Sequence, residues 1–357
     1  MALNPLTLRK IERFREIRRG YYSFLLLVVL FALSGVSELL INDRALAVRY
    51  DGNWSFPTYG PVELGDVYGL EGTAARRPVD YRVLQERFAA AEGDDRVIMP
   101  PVPWGPYYND AQGGILRAEP PGLASGHYLG TDTTGRDILA RLAYGFRTAM
   151  LFALAFTALT YLLGVTIGCA MGYFGGLFDL LFQRVIEIWS NVPFLYMVII
   201  IFSVIPATFS VGARVGILLG ILVLFSWTGL TYYMRTATYK ERERDYTAAA
   251  RVLGAGTPRI IFLHILPNTV ATMVTFVPFT VVGAITTITA LDFLGFGLPP
   301  PTPSIGELLK QGTANLTTAP WIVTSAFAAL VVILLLITFV GEAVREAFDP
   351  RRFTLYQ

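Results

Sequence analysis

Charge is scarce in this chain. Only 16% of its 357 residues are charged and the net charge is +2, which points to no nucleic-acid partner. Lysine is almost absent: Lys10, Lys240 and Lys310 are the only ones, followed by Ile11, Glu241 and Gln311. A P-loop needs Gly-Lys-Ser/Thr, so this chain has no phosphate-binding loop of that kind, and any ATP use belongs to another chain. The two histidines, His127 and His264, fall on opposite sides of a membrane in the topology below. That argues against a histidine metal site or a conventional catalytic triad. The single cysteine, Cys169, lies inside an apolar run. No disulfide staples the chain, and this thiol reads as a small packing residue.

Hydrophobic residues are abundant instead, at 54% of the chain with a mean hydropathy of +0.50. They fall in six runs, about 21–41, 147–174, 185–206, 214–235, 268–291 and 322–341, each near the roughly 20 residues that cross a bilayer. Only helices or closed barrels satisfy a backbone in lipid, and runs this long predict helices. Glu187 and Pro193 interrupt the third run. Basic residues set the orientation. Arg9, Lys10, Arg13, Arg15, Arg18 and Arg19 precede the first run, while Arg235, Lys240, Arg242, Arg244, Arg251 and Arg259 mark the loop at 236–267. Arg345, Arg351 and Arg352 mark the tail at 342–357, whereas Lys310 stands alone in the loop at 292–320. The positive-inside rule puts both termini and the 236–267 loop in the cytoplasm. The long 42–146 segment, which includes the 42–127 insertion, must then lie outside despite its many arginines, because long loops are largely exempt from the rule. Residues 1–20 read as an amphipathic surface segment, and 21–41 as an uncleaved first span rather than a signal peptide. The insertion is rich in Pro, Gly and aromatics. Its one clear helical stretch is 80–92, with Val83, Leu84, Phe88 and Ala91 on a face, and the rest reads as irregular.

Candidate ion-coupling residues are few: Glu187 near the start of the third run, Asp292 at the end of the fifth, and Glu342 with Arg345 at the end of the sixth. That argues against proton or sodium coupling. The fifth run carries Thr272, Thr275, Thr280, Thr286, Thr287 and Thr289 with Pro278 and Gly283. Such hydroxyls either line a polar path, with Thr275, Thr280, Thr286 and Thr287 as candidates, or join helices by hydrogen bonds. Gly164, Gly168 and Gly172, four residues apart, form a close-packing face for a neighbouring helix or a partner subunit.

The segment at 245–268, DYTAAARVLGAGTPRIIFLHILPN, has two helix starts and two stops between membrane-length runs. Asp245 reads as an N-cap, with Ala248, Ala249 and Ala250 as helix formers behind it. Gly254 suits the left-handed position past a helix end. Thr257 reads as a second N-cap with Pro258 at the first helical position, and Pro267 as the end of that second helix. Two short helices joined at Gly254-Ala255-Gly256 either form an ordinary hairpin or present a surface that another protein grips.

These residues resemble the cytoplasmic coupling motif of ABC importer permeases, EAA, three residues, Gly, nine residues, then a hydrophobic residue or His before x-Leu-Pro. Ala249, Ala250, Gly254, His264, Leu266 and Pro267 stand at those spacings, and Ala248 replaces the motif glutamate. Leu129 to Asp137 (LGTDTTGRD), Arg141, Gly145-Phe-Arg147, Leu291 to Leu298 (LDFLGFGL) and Pro303 to Glu307 (PSIGE) resemble the dipeptide/oligopeptide branch. Ser37 to Asp43 and Arg49 to Trp54 further resemble its microcin C-type subgroup.

The resemblance implies an all-α membrane protein with six transmembrane helices of the type I importer kind, a core at 128–341 and an extracytoplasmic insertion between helices 1 and 2. It implies a transport subunit of the bacterial inner membrane, without cofactor of its own, in a binding-protein-dependent peptide importer. Its partners would be a second permease, two ATPase subunits or one fused ATPase carrying ATP and Mg, and an extracytoplasmic solute-binding protein. The 42–127 insertion either contacts that binding protein or is a purely structural cap. Asp245, Tyr246, Ala248, Ala249, Ala250, Arg251, Gly254, Ala255, His264 and Pro267 would form the ATPase-coupling surface. On the residues alone, an ion-coupled transporter and a membrane scaffold remain as alternatives.

Overall fold

The computed structural model describes residues 5–91, 93–111, 115–206 and 208–348. The expected tail beyond residue 348, with Arg351 and Arg352, lies outside them, as do residues 1–4 of the N-terminal segment and the side chain of Thr272. In chain order the helices are α1 (Pro5–Glu16), α2 (Arg18–Gly35), α3 (Ser37–Leu40), α4 (Tyr81–Ala90), α5 (Ile138–Phe174), α6 (Gly176–Ser190), α7 (Phe194–Val204), α8 (Val211–Arg242), α9 (Asp245–Val252), α10 (Thr257–Arg259), α11 (Leu266–Val274), α12 (Val277–Leu294), α13 (Ile305–Ala314) and α14 (Pro320–Ala347). Strands β1 (Ala47–Tyr50), β2 (Asn53–Ser55) and β3 (Arg96–Ile98) lie between α3 and α5.

Helices α5, α8, α12 and α14 are each long and apolar enough to cross a membrane, and there are six candidate spans if the bent pairs α1/α2 and α6/α7 each count as one. The third predicted run is the α6/α7 pair, bent by 76°. The break falls at Asn191 to Pro193, where the proline ring disfavours a helical preceding residue and supplies no N–H. The fifth run divides at Thr275-Phe276, and Pro278 falls in the first turn of α12. Helices α5 and α8 outrun their apolar stretches, beginning at Ile138 and ending at Arg242.

The chain divides into two compact units, Met1–Val28 with Ala149–Pro300 and Val332–Gln357, and Val29–Thr148 with Pro301–Val331. In the first, the glycine face of α5 packs on α8. A Cβ at Gly168 would come within 2.6 Å of the Thr231 carbonyl oxygen, and one at Gly172 within 2.5 Å of the Arg235 carbonyl oxygen. Those glycines therefore serve a neighbouring helix of the same chain. Cys169 is buried beside them with Val165, Met234 and Ile261. Gly20 meets α14 as closely, 2.1 Å from the Ala343 Cβ, and Arg19 pairs with Glu342 at 2.9 Å.

The second unit holds the insertion, which is more regular than its composition suggests. Its sheet has the order β2-β1-β3, both pairs antiparallel, with Val48 opposite Ser55 and Val97. The β1–β2 turn is Asp51-Gly52, both at positive φ, the left-handed pair that two-residue hairpins require. Asp80 caps α4 by accepting from the Arg82 N–H, and Tyr81, Leu84 and Phe88 bury one face with Ala45, Val48, Tyr68 and Val97. Val83 instead points outward, 59% exposed, and Tyr81 takes the core position one helical turn before Leu84.

Candidate functional site

The cassette at 245–267 forms within the first unit. Helix α9 begins at Asp245, whose predecessor Arg244 occupies the cap without a side-chain hydrogen bond. Asp245 is therefore the first helical residue rather than the cap, and an acid there complements the positive end of the helix. Its far end is a Schellman turn. Gly254 has φ +80°, its N–H reaches the Arg251 carbonyl at 2.9 Å, and the Ala255 N–H reaches the Ala250 carbonyl at 3.0 Å. Ala250 and Ala255 close the turn against Ile260, Ile265 and Tyr173.

The second helix departs further from expectation. Gly256 takes the cap and Thr257 is its first residue, without a capping bond from its side chain. Pro267 does not end it: Ile260–Ile265 widen into a π turn that runs directly into α11. A wider turn ahead of the proline accommodates the ring and the missing donor without ending the helix. His264 lies in this turn, half-buried, and its carbonyl accepts from the Asn268 amide at 2.8 Å.

The two faces of α9 differ. Thr247 and Ala250 are buried, and the Thr247 hydroxyl donates to the Glu241 carbonyl at 2.8 Å. Asp245, Ala248, Ala249 and Arg251 are exposed, and Val252 and Leu253 are 88% and 86% exposed. Arg251 lies over the Tyr173 ring at 5.4 Å. The Tyr246 hydroxyl donates to Glu241 at 2.8 Å, and burial, then that bond, raises its pKa. Nothing here forms a nucleophile–base pair, and among the described residues no acidic, histidine or cysteine cluster could hold a metal ion.

Of the four path threonines, Thr280 lines a cavity of about 410 Å³, with Phe156, Thr160, Tyr161, Ser226, Gly229, Leu230, Tyr233 and Phe276. The exposed Thr286 turns its hydroxyl back to the Val282 carbonyl, and Thr275 and Thr287 are half-buried elsewhere on the segment.

The structure also assembles pairs that no local pattern reveals. In the second unit the tracts at 129–141 and 303–311 meet. Arg141, 1% exposed, donates to Glu307, as do Arg136 and Gln311, while Asp132 accepts from Thr134 and Arg136. His127 is fully buried beside Asp137 at 2.8 Å and Asp110 at 3.4 Å, stacked on Trp104. It is a structural histidine. In the first unit Asp179 accepts from Arg235 and Tyr239, tying α6 to α8. The buried Asp292 accepts from the Leu298 N–H at 2.5 Å, holding the turn after α12 in which Gly295 has φ +87°.

Residues 164–354 match the family described as binding-protein-dependent transport system inner membrane component. The chain belongs to this family. Full-length relatives agree. The inner membrane ABC transporter permease protein YejE of Escherichia coli (strain K12) is 41% identical, with 98% of each chain covered. The peptidoglycan transport system permease protein YejE of Agrobacterium fabrum is 40% identical over 98% of this chain and 94% of its own. The oligopeptide transport system permease protein OppC of Lactococcus lactis subsp. lactis is 36% identical over 65% of this chain and 78% of its own. The protein is thus a transmembrane permease subunit of an ABC transporter, a transport component rather than an enzyme.

Proposed function

We propose that this permease forms half of the translocation path of an ATP-driven peptide importer and couples to its ATPases through residues 245–267. It would pair with a second permease, receive cargo from an extracytoplasmic binding protein, and rely on two ATPase subunits or one fused ATPase for ATP and Mg. The positive-inside pattern supports a cytoplasmic position for both termini and for α9. Relatives named for oligopeptide and peptidoglycan transport support a peptide or peptide-like cargo.

The observation that carries the coupling role is the exposed end of α9. Val252 and Leu253 stand almost wholly in solvent at the tip of a helix whose other face is fixed by Thr247, Ala250 and the Gly254 turn. Burying a large aliphatic side chain contributes roughly 1.5–3 kcal/mol, so two of them on a rigid lever suit a groove in another protein. The small Ala248 and Ala249 let that protein approach the helix backbone. Movement of α9 would then pass through the Ala250–Ile260–Ile265–Tyr173 cluster into the spans, a rigid-body switch between inward- and outward-facing states. Crosslinking from Ala249→Cys in native membranes tests this. An adduct with a P-loop ATPase is expected; an adduct with no ATPase, with the transporter intact, would return the cassette to an ordinary hairpin.

A further inference from the structure

We infer, building on the peptide-importer reading, that the cavity between α5, α8 and the start of α12 is a cargo subsite inside this subunit. It takes an uncharged stretch of peptide bearing an aromatic or aliphatic side chain and discriminates against charged ones. Its volume, about 410 Å³, falls within the range of small-molecule pockets. Its lining is rings and hydroxyls: Phe156, Tyr161, Tyr233 and Phe276 with Thr160, Ser226 and Thr280, and no Asp, Glu, Lys, Arg or His. A carboxylate or ammonium entering it would lose its water without gaining a counter-charge. A peptide group with a neutral side chain loses far less and finds hydrogen-bonding partners.

Two features point to a ligand rather than a packing flaw. Thr148, Thr157 and Thr166 of α5 each donate to the carbonyl four residues back, at 3.0, 2.7 and 2.6 Å. Thr160, on the same helix and 3% exposed, has a hydroxyl without a partner, a costly arrangement in an apolar setting. Across the cavity the Thr280 hydroxyl donates to the Phe276 carbonyl at 3.1 Å, so Tyr161 donates to Thr280 at 3.2 Å. The Tyr161 oxygen thereby keeps lone pairs for an incoming N–H. Gly229 holds the space open, since a Cβ there meets nothing within 4 Å.

The test uses the complete transporter, with its ATPases and binding protein, in proteoliposomes, and tri-alanine and Ala-Phe-Ala as cargo. Gly229→Phe fills the cavity. It is expected to lower Ala-Phe-Ala uptake tenfold or more and tri-alanine uptake less than threefold, with every subunit still co-purifying. Thr160→Val should lower Ala-Phe-Ala uptake at least threefold, while Gly216→Phe, on α8 outside the cavity, changes neither. Unchanged uptake of both peptides by Gly229→Phe would identify an empty void, and an equal fall in both, a seam filled by the partner permease; either overturns the subsite. Failure of the unaltered transporter to import any tripeptide would instead overturn the peptide reading itself, and the subsite with it.

Discussion

The Gly254 turn offers a graded test of coupling. Its φ of +80° is a left-handed conformation, and a Cβ added there meets nothing within 4 Å. Substitution therefore adds backbone strain without a packing collision. For an L-residue that strain is about 1–2 kcal/mol, and larger for a β-branched side chain. A penalty of that size lowers the population of the intact turn by roughly 5- to 30-fold. The strain falls on the two bonds that lock α9, from Gly254 to Arg251 and from Ala255 to Ala250. Coupling should therefore decline in the order Gly254, then Asn, which tolerates the left-handed region, then Ala, then Val. The assay is ATP hydrolysed per peptide imported, beside the amount of permease in the membrane. Gly254→Val should leave the membrane level unchanged while hydrolysis continues without uptake. Full coupling in Gly254→Val, or equal damage from Asn and Val, would refute the reasoning.

Two further outcomes follow from packing and from titration. Gly168→Leu forces a side chain into the Thr231 carbonyl and the Met234 Cβ, 2.6 and 2.7 Å from where its own Cβ would stand. A cost of about 1–3 kcal/mol should lower the melting temperature and the yield in detergent, whereas Gly216→Leu, which meets nothing within 4 Å, should behave as the unaltered chain. In the insertion, burial and then the Glu63 bond push Tyr68 up to about 12. A raised folded-state pKa stabilises the neutral form, so this contribution is complete below the unfolded value near 10 and fades as pH rises from 10 to 12. Near-ultraviolet circular dichroism of the full chain should lose insertion signal across that window, less steeply in Tyr68→Phe; a signal that strengthens there contradicts the sign.

What could be read from the sequence was local. The apolar runs fall on the candidate spans because a bilayer demands a fixed length, and Gly254 was legible because a left-handed helix end is a single-residue requirement. The caps slipped by one residue, Arg244 for Asp245 and Gly256 for Thr257, since side-chain preference alone does not decide which residue first turns helical. The sheet was missed because its strands are three or four residues long, too short for alternation to register. The Asp51-Gly52 pair was the signal that would have found the hairpin. Pro267 was misread because a π turn is no property of the proline itself. Contacts between distant residues left no local trace: Arg141 lies 166 residues from Glu307, and Asp179 lies 56 from Arg235. A charge at the edge of an apolar run was the available clue to Asp179 and Arg235, and it named no partner.

The glutamate that the coupling motif places at Ala248 can be argued from the faces of α9. Asp245 and Arg251 are the charged residues of α9 that could replace its polar contact, and the structure separates them. Arg251 lies over Tyr173, so part of its interaction stays within the permease. Asp245 is exposed and precedes Ala248 by three residues, which puts both on one side of the helix. An acid one turn earlier thus offers the partner a negative charge on the same face, where the helix dipole also favours it. Asp245→Asn should weaken ATPase association, with the deficit growing as salt is lowered, because only a charge contact is screened. Asp245→Asn combined with Ala248→Glu should restore it. If the single variant binds ATPase normally at low salt, the missing glutamate is not replaced by Asp245, and the apolar tip at Val252 and Leu253 carries the association.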